Sequence, residues 1–125
     1  MRLLIDTHVF LWAMGGDKKL PKRAEATMLS ADAVFVSAAS IWEISIKSGL
    51  GKLDVDVNEL VARMEEAGFR ELPVTSAHAA AVRDLPEIHR DPFDRLLVAQ
   101  AIAEPLRLLS DDENVAKYTD LVIRI

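Results

Sequence analysis

The chain has 125 residues, the usual size of one domain, so we expect a single domain over residues 1–125. Hydrophobic residues make up 50% and charged residues 28%, which excludes a disordered chain, and the lack of cysteine excludes disulfides and thiolate metal sites. A net charge of −5 argues against a simple nucleic-acid-binding module, but not against an enzyme whose acids hold metal ions. The apolar runs are too short to cross a bilayer, and we expect a cytoplasmic protein with no membrane association.

Short apolar runs alternate with helical patterns along the chain. Buried strands are predicted at residues 3–5, 33–36 and 106–109, with weaker candidates at 69–74 and 121–125. Helical spacing of apolar residues or an alanine-rich face predicts helices at 21–30, 57–64, 75–84 and 91–101. Strands that alternate with helices predict an α/β fold with a mostly parallel sheet of four to five strands.

Two of these helices carry start signals. Asp56, followed by Glu59 three residues later, predicts a helix N-terminus with a capping box. Asp91 is the predicted N-cap of another helix, with Pro92 at its first position and Asp94 at its third.

Several acids fall where parallel strands end or where the next helix begins. Asp6 follows the first predicted strand, and Asp111 and Asp112 follow the fourth, so they meet at one edge of a parallel sheet. Glu43 lies on the helix after the second strand, and Asp94 lies in the first turn of the helix before the fourth. Carboxylates brought together repel each other, and a divalent cation relieves that repulsion. An oxygen-only site without cysteine suits Mg²⁺ or Mn²⁺.

Each of the first two acids also has a purely structural explanation. Asp6 could cap a turn after its strand, although a charged residue is seldom found at the end of a buried strand. Glu43 could close a capping box with Ser40, or form an ion pair with Lys47 one helical turn later.

The remaining acids have structural explanations of their own. Asp91 and Asp94 could simply favour the positive end of a helix dipole. Ser110 and Glu113 have the spacing of a capping box, which would leave the two acids between them as solvated first-turn residues. The argument for a site therefore depends on the whole set and its placement.

Four stretches of the chain together resemble the PIN-domain ribonucleases, and specifically the VapC-type toxins of toxin–antitoxin pairs. They occur in the family's order at residues 4–12, 37–44, 89–101 and 108–112. The resemblance implies a three-layer α/β/α sandwich and Mg²⁺- or Mn²⁺-dependent hydrolysis of RNA, with tRNA or ribosomal RNA as the substrate. It also implies a homodimer and inhibition by a cognate antitoxin protein.

The resemblance also implies roles for single residues. The family's four acids match Asp6, Glu43, Asp94 and Asp112. By this resemblance, the three aspartates would hold one or two ions, and Glu43 would complete the site or orient the attacking water. In-line displacement at phosphorus would follow, with the metal offsetting charge on the non-bridging oxygens.

Further residues beside these acids are candidates for supporting roles. Candidates to support the metal ligands are Thr7, Ser110 and Asp91, with Ser110 in the family's hydroxyl position. Because both the chain and RNA are negatively charged, RNA binding requires basic residues near the site. Candidate contacts to RNA phosphates are Arg95, Arg90 and Lys47.

Two rival functions stay open at this point. A haloacid dehalogenase-like phosphatase also begins with an aspartate at a strand end, but its motif has a second aspartate two residues later, where this chain has His8. A catalytically silent PIN-like scaffold that binds RNA or a partner would typically lack at least one of the four acids.

Overall fold

The computed structural model describes the whole chain from Met1 to Ile125. Its five strands are β1 (Arg2–Ile5), β2 (Ala33–Ser37), β3 (Phe69–Leu72), β4 (Arg107–Ser110) and β5 (Val122–Arg124). Its helices are α1 (Thr7–Gly15), α2 (Lys22–Ser30), α3 (Ala38–Gly49), α4 (Val57–Glu66), α5 (Ser76–Ala81), α6 (Pro92–Ala103) and α7 (Glu113–Ala116). A short 3₁₀ turn at Val82–Asp84 follows α5. All five predicted strands and the four helices predicted from apolar spacing are present, and α3 is the expected helix after the second strand. The helices α1 and α7 were not predicted.

The strands form one sheet in the order β3-β2-β1-β4-β5, and every neighbouring pair is parallel. This confirms the predicted mostly parallel sheet. The order reverses at β1, because the chain builds β2 and β3 on one side of it and then crosses to add β4 and β5 on the other. In open α/β sheets such a reversal leaves a crevice at the carboxyl ends of the strands, here between β1 and β4.

Helices cover both faces of the sheet, which gives the predicted three-layer α/β/α sandwich. Side chains alternate along each strand, so Leu3 and Ile5 face one layer while Leu4 faces the other. The first core includes residues of α1, α2, α3 and α4, and the second includes residues of α6 and α7. None of the helices combines the length and apolar character that a membrane crossing requires.

Aspartate side chains cap several helices at their N-termini. Asp56 accepts a hydrogen bond from the amide of Glu59, and Asp91 accepts from the first turn of α6, so both predicted N-caps are confirmed. The predicted capping box of Ser110 and Glu113 is wrong. Asp112 is the N-cap of α7, because β4 continues through Ser110 and the helix begins only at Glu113.

The inner strand β4, paired on both sides, offers a direct test of the core. Leu109 is fully buried between the sheet and its helices, so Leu109→Ala should lower the free energy of unfolding by about 2–5 kcal/mol. The matched control is Leu29→Ala, because Leu29 on α2 is 87% exposed and its truncation should change stability by less than about 0.5 kcal/mol. Urea unfolding followed by circular dichroism measures both, and equal effects would contradict this assignment of the core.

Candidate metal centre

A small polar pocket lies at the carboxyl edge of the sheet, beside the ends of β1 and β4. Its volume is about 70 Å³ and no apolar residue lines it. The lining residues are six acids, Asp6, Glu43, Asp91, Asp94, Asp111 and Asp112, together with Thr7, His8 and Lys47. The structure therefore brings together all four acids of the family pattern, and it adds Asp91 and Asp111 to them.

Asp6 is both a helix cap and a member of the pocket. It follows β1, is only 5% exposed, and accepts a hydrogen bond from the Val9 amide at 2.9 Å as the N-cap of α1. Burial raises the pKa of Asp6 to about 6, against the lowering effect of hydrogen bonds from Ser110 and Val9. The two explanations of Asp6, as a structural cap and as a site residue, are thus compatible.

Glu43 is held at both of its carboxylate oxygens. Thr7 Oγ1 donates to Oε1 at 2.7 Å, and Lys47 Nζ donates to Oε2 at 2.9 Å. The Glu43–Lys47 ion pair considered from the sequence is therefore present. Since the Glu43 side chain is 9% exposed and Lys47 is 42% exposed, the lysine stands at the mouth of the pocket.

Asp94 has a more strongly raised pKa than Asp6. Burial raises its pKa to about 7, and the charges of Asp91, Asp6 and Asp112 add to this effect, whereas His89 opposes it. Such a carboxyl group resists ionisation near neutral pH unless a cation is bound beside it.

The environment of Asp112 favours its ionised form. Burial alone would raise its pKa, but hydrogen bonds from the Asn114 amide and from His89 outweigh that, so the pKa of Asp112 is lowered. Its Oδ1 accepts from the amides of Asn114 and Val115 at the start of α7. Ser110 is fully buried beneath it and accepts a hydrogen bond from the Asp112 amide at 3.1 Å.

His89 is a site residue that sequence reasoning missed. Its Nε2 atom lies 3.0 Å from Oδ2 of Asp112 and 3.1 Å from Oδ2 of Asp94. The only signal in the sequence was its place at the start of the stretch over residues 89–101. It lies on the irregular segment between the 3₁₀ turn and α6, whose path no periodicity predicts.

The two arginines beside the acids differ in their surroundings. Arg95 donates to the carbonyl oxygens of Pro86 and Val82 and to the Tyr118 hydroxyl, at 3.0–3.2 Å. Arg95 is one of the candidate RNA contacts, but its guanidinium already donates hydrogen bonds to these protein oxygens. Arg90 is exposed, and both arginines line an open cleft of about 530 Å³ next to His89.

The donor set fits a hard divalent cation. The groups facing the pocket are mostly carboxylate oxygens, which Mg²⁺ and Mn²⁺ prefer, and there is no sulfur. Carboxylate oxygens of Asp94 and Asp112 lie within 4.8 Å of each other, close enough for one ion to contact both. The lining residues include six acids but only one lysine, so the pocket lacks the positive charge needed to balance its acids.

This lack of positive charge predicts a pH-dependent gain in stability for Asp94→Asn. Because the pKa of Asp94 is about 7 in the fold and 3.8 in its ordinary state, ionisation opposes folding, so metal-free wild type loses stability as pH rises from about 4 to 7. In EDTA at pH 8, Asp94→Asn should be more stable by about 1–3 kcal/mol, and the gain should fade toward pH 4. Thermal unfolding across this pH range measures it. Asp120→Asn, at an exposed acid outside the pocket, should show no such trend.

Known proteins resemble this chain in sequence and in fold. The PIN domain family matches residues 3–121. Ribonuclease VapC22 of Mycobacterium tuberculosis is 27% identical over 118 residues, which cover 93% of this chain and 91% of VapC22. VapBC2 from Rickettsia felis, solved bound to a promoter DNA fragment, has a TM-score of 0.69 at 13% identity. The match covers 100% of this chain and 98% of the VapBC2 chain.

A second solved structure has the same fold. VapC20 of Mycobacterium tuberculosis, described as a toxin that cleaves the sarcin-ricin loop, has a TM-score of 0.64 at 16% identity, over 98% of this chain and 99% of VapC20. These structural likenesses establish the fold, while the family match extends over nearly the whole sequence. The chain therefore belongs to the PIN domain family.

Proposed function

We propose that the chain is a metal-dependent ribonuclease that hydrolyses RNA phosphodiester bonds and acts as the toxin of a toxin–antitoxin pair. The observation that carries this proposal is the meeting of Asp6, Glu43, Asp94 and Asp112 in one polar pocket at the sheet edge. Membership of the PIN domain family supports it, as does the similarity to Ribonuclease VapC22. That family assignment leaves no support for the haloacid dehalogenase-like alternative.

Asp6, Asp94 and Asp112 are the residues we propose as ligands of Mg²⁺ or Mn²⁺. When bound, such an ion acts as a Lewis acid on the phosphate and lowers the pKa of its bound water. Thr7 donates a hydrogen bond to Glu43, and Ser110 forms a hydrogen bond with the ligand Asp6. Asp91 caps α6, the helix that carries the ligand Asp94. These three residues have a supporting role in the proposed site. Hydrogen bonds from two sides fix the orientation of Glu43, which makes it the proposed acceptor for the attacking water.

RNA is the proposed substrate, with tRNA and ribosomal RNA as the first candidates. Lys47 lines the acidic pocket and exposed Arg90 lines the cleft next to His89, and both are the proposed contacts to RNA phosphates. Arg95 acts mainly through protein contacts in this proposal.

A cognate antitoxin and a second copy of the chain are the proposed protein partners. A solved structure from Klebsiella pneumoniae with the same fold is described as a toxin–antitoxin complex. On this chain, Trp42 and Ile46 of α3 and Leu50 directly after it are large exposed apolar residues at helical spacing, and such a stripe is typical of a surface that another protein covers.

RNA cleavage by the purified chain tests the proposed activity. With Mg²⁺ or Mn²⁺, wild type should cut tRNA or ribosomal RNA at discrete positions, and EDTA should abolish cutting. Asp94→Asn should lower the rate at least about 100-fold, because it removes a ligand rather than a residue that only supports one. Asp120→Asn is the matched control for the loss of one acid and should cut normally. Cutting that persists in EDTA and in Asp94→Asn would refute the metal mechanism, whereas a folded wild type that never cuts would favour the silent scaffold.

RNA binding distinguishes the two arginines. In the cleavage-deficient Asp94→Asn background, Arg90→Gln should weaken RNA binding and lower the slope of log Kd against log salt by roughly 0.7, the contribution of one contact to single-stranded RNA. Arg95→Gln should instead reduce stability by about 1–3 kcal/mol, because it removes hydrogen bonds from a charged donor to the Pro86 and Val82 carbonyl groups. Fluorescence anisotropy and thermal unfolding measure the two effects, and a reversed result would restore Arg95 as the RNA contact.

A further inference from the structure

His89 stands between two of the proposed metal ligands. Its Nε2 atom donates to Oδ2 of Asp112 at 3.0 Å and lies 3.1 Å from Oδ2 of Asp94. These two acids come from different elements, the start of α6 and the start of α7. One imidazole nitrogen therefore links carboxylates whose charges otherwise drive them apart.

The other ring nitrogen indicates which role His89 has. The Asp91 amide donates to Nδ1 at 3.4 Å, so Nδ1 is an acceptor and Nε2 carries the ring hydrogen. A nitrogen that carries hydrogen has no lone pair to offer a metal ion. In this arrangement His89 is a hydrogen-bond donor to the ligands and not a ligand itself.

The backbone of His89 is also clamped. The Tyr118 hydroxyl accepts from the His89 amide at 2.7 Å and donates to the His89 carbonyl oxygen at 3.3 Å. Arg95 Nη1 in turn donates to the same hydroxyl at 3.2 Å while holding the Pro86 carbonyl. Hydrogen bonds thus fix the irregular segment before α6 to Tyr118, just after α7, at the residue that carries the imidazole ring.

We propose that His89 is a positioning residue for the metal centre, held in place by Tyr118 and Arg95. Its N–H orients the carboxylates of Asp94 and Asp112 so that they face a common point before an ion arrives. Each carboxylate has about four lone-pair positions, so a hydrogen bond to Oδ2 leaves room for coordination. This inference rests on the proposed metal site, and it assigns a role to a residue outside the family's four acids.

Mn²⁺ affinity, measured by calorimetry and by electron paramagnetic resonance of the free ion, provides the test. His89→Ala should weaken Mn²⁺ binding about 10- to 100-fold, the usual effect of losing a group that orients a metal ligand. His89→Gln should recover part of the affinity, because its amide can donate from nearly the same place. Lys52→Ala is the control: this exposed side chain lies outside the pocket, and its loss should change affinity less than about twofold.

Tyr118→Phe tests the clamp separately from the ring. It should weaken Mn²⁺ binding in the wild-type background, and should have little further effect when His89 is already alanine. This non-additivity is the mark of two residues that act through one another. A merely structural role of the hydroxyl would lower stability equally in both backgrounds and leave the metal affinity of folded protein unchanged.

The ring hydrogen can be observed directly by ¹⁵N NMR of the imidazole. We expect hydrogen on Nε2 both in the metal-free protein and with Mg²⁺ bound. Loss of this hydrogen with Mg²⁺ would overturn the proposal in favour of direct ligation, and tighter Mn²⁺ binding by His89→Ala would overturn it in favour of competition with the ion. A wild type that binds no Mn²⁺ would instead refute the proposed metal site, so the two failures are distinguishable.

Discussion

Mutual repulsion of carboxylates at the carboxyl edge of the sheet is the constraint to which the rest of the structure responds. Six acids line a pocket of about 70 Å³, and Lys47 is the only lysine or arginine among its lining residues. Such a cluster opposes folding, and its effect is visible in the pKa values of Asp6 and Asp94. The fold that brings the acids together must therefore also provide hydrogen-bond donors that stabilise them.

Helix N-termini provide part of that support. Three of the acids, Asp6, Asp91 and Asp112, are the N-caps of α1, α6 and α7, and each accepts hydrogen bonds from amides of the first turn. The positive ends of these helix dipoles thus converge on the pocket. Side-chain donors complete the support, since Lys47 holds Glu43 and His89 holds Asp112.

Much of this arrangement was predictable, because it follows from a rule about sheets. Apolar runs that end in acids, at Asp6 and at Asp112, meet wherever parallel strands are neighbours, so the sequence predicts the edge and most of its carboxylates. The helix α1 escaped prediction because apolar residues lie on nearly all its sides and give no clear stripe. The contacts of Arg95 and His89 could not be predicted for another reason. Arg95 bonds Tyr118 and His89 bonds Asp112, each 23 residues away along the chain, and His89 lies on an irregular loop.

Three aspartates are both helix caps and site residues, and this affects which substitutions the protein can accept during evolution. Asparagine caps a helix about as well as aspartate does, yet it carries no charge. Replacement at Asp6, Asp91 or Asp112 therefore keeps the cap and removes one of the mutually repelling groups. A single substitution at one of these positions can therefore remove a charged group of the site while the fold is kept. A lineage of such chains would accumulate inactive copies that still fold, and these would persist wherever their surfaces remain useful to a partner.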